Sequence, residues 1–365
     1  MESAPEPLQS VHTTSLPRLL TQLGASVLVS TYQAGKLIVV RADGERANTH
    51  FRNFDTPMGL ALDGGRLLVG TRTEVREFRN QPAVADKLSP TGRHDACYLP
   101  KTSHTTGQIA GHEISFGTGG AVWVVNTRFS CLCTLHDDYS FVPRWRPPFV
   151  TALAPEDRCH LNGMAMVGGQ PQYVTALGAT DSAAAWRANK AGGGVLMEVP
   201  SGRVIVGGLA MPHSPRWHDG RLWFLESGAG SLSVADPATG AVGTITTLPG
   251  FTRGLDFVGP FAFIGLSQVR ESALFAGLPI TERLTLGERK CGMWVVDTRT
   301  GETVAFLQFQ AGVQEVFAVQ VLPGVRFPDI LSEPDDDIAA NAFVLPDEAL
   351  ADVPGMTNDP PMTHQ

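Results

Sequence analysis

His112, Asn162, His213, Arg253 and Glu315 each open a short segment of one shared pattern: HEISFGT, NGMAMVG, HSPRWHD, RGLDFVG and EVFAVQV. A sixth segment, MGLALDG, opens on Met58. Imidazole nitrogens and a carboxylate converging from separate strands are what a divalent transition metal requires. His112, His213 and Glu315 are the leading ligand candidates, with Asn162 or His160 completing the set or holding a metal-bound water. Arg253 shares the register, and a cation beside a metal is unfavourable unless an anion lies between them. That anion would be a substrate carboxylate or phosphate, gripped by two parallel hydrogen bonds. Arg158 is placed to reach the same opening. The plainer readings are a histidine or asparagine that bonds a backbone group at a strand start, and an Arg253–Glu315 ion pair.

The elements that would position these residues follow from the same segments. In each, the residues two and four places after the first are large and mostly apolar, as in Ile114 and Phe116 or Leu255 and Phe257, which is strand periodicity. The first residues are spaced by 54, 50, 51, 40 and 62 positions. Repeats of roughly 40 to 50 residues built of short strands and Gly-rich turns mark β-propeller blades. The innermost strand of each blade lines a central channel, so one equivalent residue per blade forms a ring about the axis.

An all-β, six-bladed propeller is therefore expected over residues 25–330, preceded by an arm over 1–24 and followed by an acidic, disordered tail over 331–365. Blades are expected at about 57–110, 111–158, 159–208, 211–250 and 251–312. The sixth would combine the strands of SVLVSTYQAGKLIVVRADGE with the segment from Glu315, so that both chain ends close the ring in one blade. A seventh blade would require further strands between Arg79 and Gln108. That stretch, Ala179–Gly194 and Gln268–Lys290 fit the blade pattern badly and read as covers over the channel mouth.

Composition narrows the function classes. The net charge of −8 sits in the tail, where eight acids follow Leu331 without a base, leaving 28 acids against 28 bases before it. A nearly neutral body lacks the electrostatic footprint of a nucleic-acid binder and of a protein held to an anionic membrane. No apolar run approaches the ~20 residues of a membrane span. The five cysteines are an odd number, and no secretory leader is legible, so a reduced cytoplasmic protein is expected. Cys131 and Cys133 would share one strand face and pack inward. Cys159 and His160 are adjacent and so face opposite ways, as Glu113 should face away from the ring. No nucleotide-binding motif is present, so no nucleotide cofactor is expected.

The segments RCHLNGMAM, MPHSPRWHDGRLWFLESG and GFTRGLDFVGPFAFIGLS, with STYQAGKL and RWRPPFV, resemble a bacterial family of conserved hypothetical proteins without an assigned activity, from about Ser26 to Pro328. A more distant likeness is to six-bladed propellers of the gluconolactonase and senescence-marker type. That likeness implies a divalent metal held on the axis by Glu, Asn and Asp. Histidines at two or three of these places would favour a softer metal than calcium and speak against lactone hydrolysis. Two functions remain open: a metal-dependent enzyme acting on a small anionic substrate in the channel, or a non-catalytic propeller binding a protein or peptide on its loop face.

Overall fold

The structure is a computed structural model that describes residues 8–268, 277–331, 337–350 and 352. Six sheets form a six-bladed β-propeller. Blade 1 runs outward through Leu60–Asp63, Arg66–Gly70, Glu74–Asn80 and Ala96–Thr105. The innermost strands of blades 2 to 5 are Gly111–Phe116, Leu161–Val167, Pro212–His218 and Phe251–Val258, each followed outward by three antiparallel strands. In blade 6 the innermost strand is Ala318–Pro323, and outside it lie Ala25–Thr31, Lys36–Asp43 and Arg46–Asn53. The six inner strands contact one another in succession, and that of blade 6 returns to that of blade 1. The six segments aligned by periodicity thus fall in six different blades, and the two chain ends share one.

Alternation along the strands builds the core in six wedges, one between each pair of blades. Leu28, Leu37 and Val39 of blade 6 pack on Leu67, Val69 and Phe78 of blade 1. Val125 and Leu132 of blade 2 meet Leu161 and Val174 of blade 3. Trp223 and Leu225 of blade 4 meet Leu255 and Ile264 of blade 5. Period-2 strands buried on both faces supply both wedges at once. Turn chemistry fixes the register: between the first two strands of blade 4, Asp219 and Gly220 take φ of 48° and 70°, the double left-handed turn whose twist matches antiparallel strands.

The chain ends grip more than one blade. Ser10–His12 extends the outer edge of blade 5 beside Thr303–Phe309, and the helix Ser15–Leu23 buries Leu16 and Leu20 in the wedge between blades 5 and 6. Pro328–Ile330 adds a parallel strand to the outer edge of blade 1. Covering these edges removes unpaired backbone that would template association. Arg79–Gln108 lies here too, and in this it departs from the expected cover over the mouth. Ala96, Cys97, Tyr98 and Leu99 alternate between two apolar clusters and so form the outer strand of blade 1, with Ile330 and Leu331 packed on them. No further blade arises from this stretch. Beyond Leu331, Ile338, Ala339 and Ala342 pack on the same cluster, whereas Phe343, Val344 and Leu345 are exposed. The rest of the expected tail, 332–336, 351 and 353–365, lies outside the described residues, as do 269–276. No helix among the described residues is long and apolar enough to cross a membrane.

Asp329 latches this closure. Its carboxylate pairs with Arg52 at 2.7 Å and His50 at 3.3 Å, joining the last strand to blade 6. Burial alone would raise the Asp329 pKa, but the hydrogen bonds and charges of His50 and Arg52 outweigh it and hold the carboxyl well below the usual carboxylate range. Asp329→Asn is expected to cost about 3 kcal/mol at neutral pH by leaving the buried Arg41 and the half-buried Arg52 without their carboxylate. A carboxyl with a depressed folded value contributes fully above its unfolded value of about 4 and loses that contribution as pH falls through the folded value. Urea unfolding from pH 7 downward should therefore show the gap between wild type and variant shrinking below about pH 4. A gap independent of pH would remove the latch.

Candidate functional site

Four inner strands are approached through a residue in left-handed backbone. Thr56, Ala110, His160 and Met211 have φ of 55°, 51°, 50° and 55°, and each lies two positions before the segment start in its blade. For residues other than glycine this conformation is strained, and such residues concentrate where structure is spent on positioning a site. Just inside, the inner strands of blades 2 to 5 carry register shifts, between Gly111 and Ile114, Leu161 and Gly163, His213 and Arg216, and Thr252 and Leu255. Bulges re-aim side chains and break strict alternation. The ring about the mouth is accordingly built from Met58, His112, His160, Met211, Arg253 and Phe317, which line a cavity of about 170 Å³.

His160 is held on its Nδ1 side, which donates to the Asp157 carboxylate at 2.9 Å, while the Trp186 indole N–H donates to the same oxygen at 3.0 Å. The neutral ring therefore carries its lone pair on Nε2. His112 faces it edge to face, with ring centroids 4.9 Å apart. His112 Nδ1 lies 2.9 Å from the Ala110 carbonyl and 2.8 Å from the Thr127 hydroxyl. That hydroxyl spends its proton on the Leu161 carbonyl, so Nδ1 is the donor, and Nε2 of His112 is likewise the acceptor in the neutral ring. Arg253 lies over the Phe317 ring, its guanidinium carbon 3.4 Å from the ring centroid. Phe317 also packs against His112 at 5.1 Å.

The other residues singled out from sequence are placed differently. Asn162 donates to the Pro212 carbonyl and accepts from the Thr175 hydroxyl, stitching blade 3 to blade 4. Ser30, Thr127, Ser214 and Ser267 make corresponding side-chain bonds to the main chain of the next inner strand, at Met58, Leu161, Gly254 and Val316. His213 and Glu315 are 1% and 4% exposed and border neither this cavity nor the basin outside it. His213 Nδ1 donates to the Met211 carbonyl at 2.9 Å. Arg158 pairs with Glu156 and Asp181, both at 2.8 Å, and ties the 179–184 loop to the link between blades 2 and 3. Among the described residues no group of three or more His, Cys, Asp or Glu side chains is placed to hold a metal ion.

Two of the three irregular stretches do lie over this mouth. Ala185–Asn189 brings Trp186 into the cavity wall, and Leu278 and Ile280 pack on Trp186, Leu177 and Met211. Outside the cavity a wider basin of about 420 Å³ opens between blades 1, 2 and 3, sharing Met58, Ala110, His112 and His160 with it.

At the far end of the axis charged groups converge around a second cavity, of about 160 Å³. Glu113 turns inward rather than away from the axis, because the bulge beside His112 breaks the alternation, and it accepts from Arg216 of blade 4 at 2.6 Å. Asp256 accepts from Gln320 Nε2 and the Val321 N–H, both at 2.7 Å, and burial pushes its carboxyl up. These four groups tie blades 2 and 4, and blades 5 and 6, across the axis. All five cysteines are buried and none is in a disulfide, and burial pushes the Cys131 and Cys159 thiols up to about 12. A thiol so far from ionisation is not a nucleophile.

Residues 14–331 match the profile of a family described as "Domain of unknown function (DUF4915)", and the chain belongs to that family. No curated protein matches the chain. Among solved structures, a propeller in a nidogen/laminin complex is similar with a TM-score of 0.53 and 9% identity, over 82% of this chain and 99% of that one. A catalytically inactive virginiamycin B lyase from Staphylococcus aureus, solved with quinupristin, is similar with a TM-score of 0.42 and 11% identity, over 82% of this chain and 98% of that one.

Proposed function

We propose that this member of the DUF4915 family is an acid–base enzyme that moves a proton on a small organic anion in the cavity at the axis mouth. The observation that carries the reading is the Asp157–His160 pair, in edge-to-face contact with His112, at the wall of a cavity that Arg253 also lines. An oriented imidazole with its lone pair inward is a general base, and the carboxylate behind it stabilises the imidazolium that forms. Among the described residues the cavity wall holds no serine, cysteine or lysine, so proton transfer fits better than covalent catalysis. In the step that follows, His160 Nε2 takes a proton from the carbon next to a carboxylate, and the carbon's electron pair is delocalised into that carboxylate as an enediolate. Arg253 offsets the added charge. The proton on His160 Nε2 exchanges with solvent, and one returns from that atom to the same carbon; His112 packs edge to face against the base and holds its ring in place. No step passes through a metal.

The test is hydrogen exchange in D₂O. A panel of short 2-hydroxy, 2-oxo and 3-substituted carboxylic acids is incubated with the protein and followed by proton NMR. Loss of the α-proton signal of at least one acid, absent with His160→Ala, is expected. Exchange indifferent to His160, or none from any acid, would overturn the reading. A stoichiometric transition metal in the purified protein, lost on His112→Ala, would return the metal-dependent enzyme as the better account.

A further inference from the structure

The inner cavity and the basin outside it differ in chemistry, and the boundary between them falls on the two histidines. Apart from His112, His160 and Arg253, the cavity is walled by Tyr32, Trp186 and Phe317 and by the aliphatic Met58, Ala110, Met211 and Leu177. Its volume of about 170 Å³ is close to the ~150 Å³ of apolar cavities that accept a benzene ring. A flat six-membered ring between aromatic walls is the body that such a space suits.

The basin instead carries arginines. Arg72, Arg128 and Arg187 border it, together with Glu156 and Asp157. Both acids are committed, Glu156 to Arg158 and Asp157 to His160 and Trp186, and Arg72 pairs with Asp55 at 3.1 Å. Arg128 and Arg187 have no ion pair among the described residues. The Arg187 guanidinium lies 4.4 Å from the centroid of Trp186, the ring that walls the inner cavity, and so stands at the threshold between the two spaces. The main chain of Arg128 accepts from the Asp157 N–H at 2.9 Å, which fixes that side of the rim against the catalytic pair.

We infer that the substrate is a ring-sized organic acid with two anionic groups: its ring enters the inner cavity, one carboxylate meets Arg253, and the second anionic group stays in the basin between Arg128 and Arg187. This rests on the reading of the cavity as an acid-binding site. A charge left in the basin keeps its hydration on one side, so the rim arginines select for the second group without the cost of burying it.

Calorimetric titration at fixed ionic strength with benzoate and with 4-(carboxymethyl)benzoate tests this without requiring turnover. The dianion should bind wild type about tenfold more tightly than benzoate, as one added charge-assisted contact implies. Arg128→Ala/Arg187→Ala, two exposed changes that leave the blades intact, should abolish that advantage and leave benzoate affinity unchanged. Met211→Trp, with its melting temperature checked, should abolish binding of both by filling the cavity. Equal affinity of the two acids for wild type, or equal losses of both in the double variant, would overturn the inference while leaving the cavity as an acid site. Failure of both acids to bind would remove the inference and the acid site together. Binding with the expected selectivity but without α-proton exchange would leave the inference standing and remove the proposed chemistry.

Discussion

His160→Ala is expected to lower turnover by about 10² to 10⁴-fold, the usual contribution of a positioned general base, with the unfolding midpoint nearly unchanged. The side chain contacts Asp157, His112 and Trp186 at the cavity wall and lies in none of the six wedges between blades, so the blade packing survives its loss. Asp157→Asn should cost a comparable factor by a different route. The carboxylate fixes the His160 tautomer by accepting from Nδ1, whereas a carboxamide can present an N–H there and turn the lone pair away from the cavity. The two losses should therefore not multiply in the double variant, because both silence one base. Trp186→Phe removes the indole N–H to Asp157 and part of a buried ring in the cavity wall, but leaves the carboxylate on His160, and should cost less than Asp157→Asn. Steady-state rates on the acid that passes the exchange test would check all three. Multiplicative losses would show that Asp157 acts through something other than His160.

The architecture was legible because propeller blades repeat their periodicity six times over, and an error in one blade does not propagate. His112, Arg253 and Met58 could be placed in the ring on the same ground. His160 enters from sequence only as an alternative to Asn162 in a ligand set, and the reason for its placement, a left-handed backbone that swings the ring into the mouth, leaves no mark on apolar spacing. Asn162 and His213 have the residue types of ligands, yet bulges at those strand starts turn Asn162 onto the neighbouring blade and leave His213 donating to its own chain. Asp157 and Trp186 come from connections between elements, where no periodicity exists to align them. Glu113 shows the same limit, since one inserted residue reverses the face on which alternation would put it.

A stability loss of about 3 kcal/mol is expected at Gly254→Ala. Gly254 occupies the bulge beside Arg253 with φ of +78°, and a Cβ there would lie 2.7 Å from Val319 N and 2.9 Å from the carbonyl carbon of Ala318. Those atoms are backbone of the next inner strand, so no side chain can rotate out of the way. Phe317, on which the Arg253 guanidinium rests, immediately precedes that strand, and the Gly254 N–H donates to Ser214 of blade 4. Three successive inner strands must shift together. Gly259→Ala separates the two contributions, since Gly259 has φ of +52° with nothing within 4 Å of the added methyl, and should lose only about 1 kcal/mol from the backbone conformation. Urea midpoints of the two variants should differ accordingly, and benzoate affinity should fall in Gly254→Ala alone. Equal destabilisation would mean that the inner strands of blades 5 and 6 are not in the close contact that aims Arg253 into the mouth.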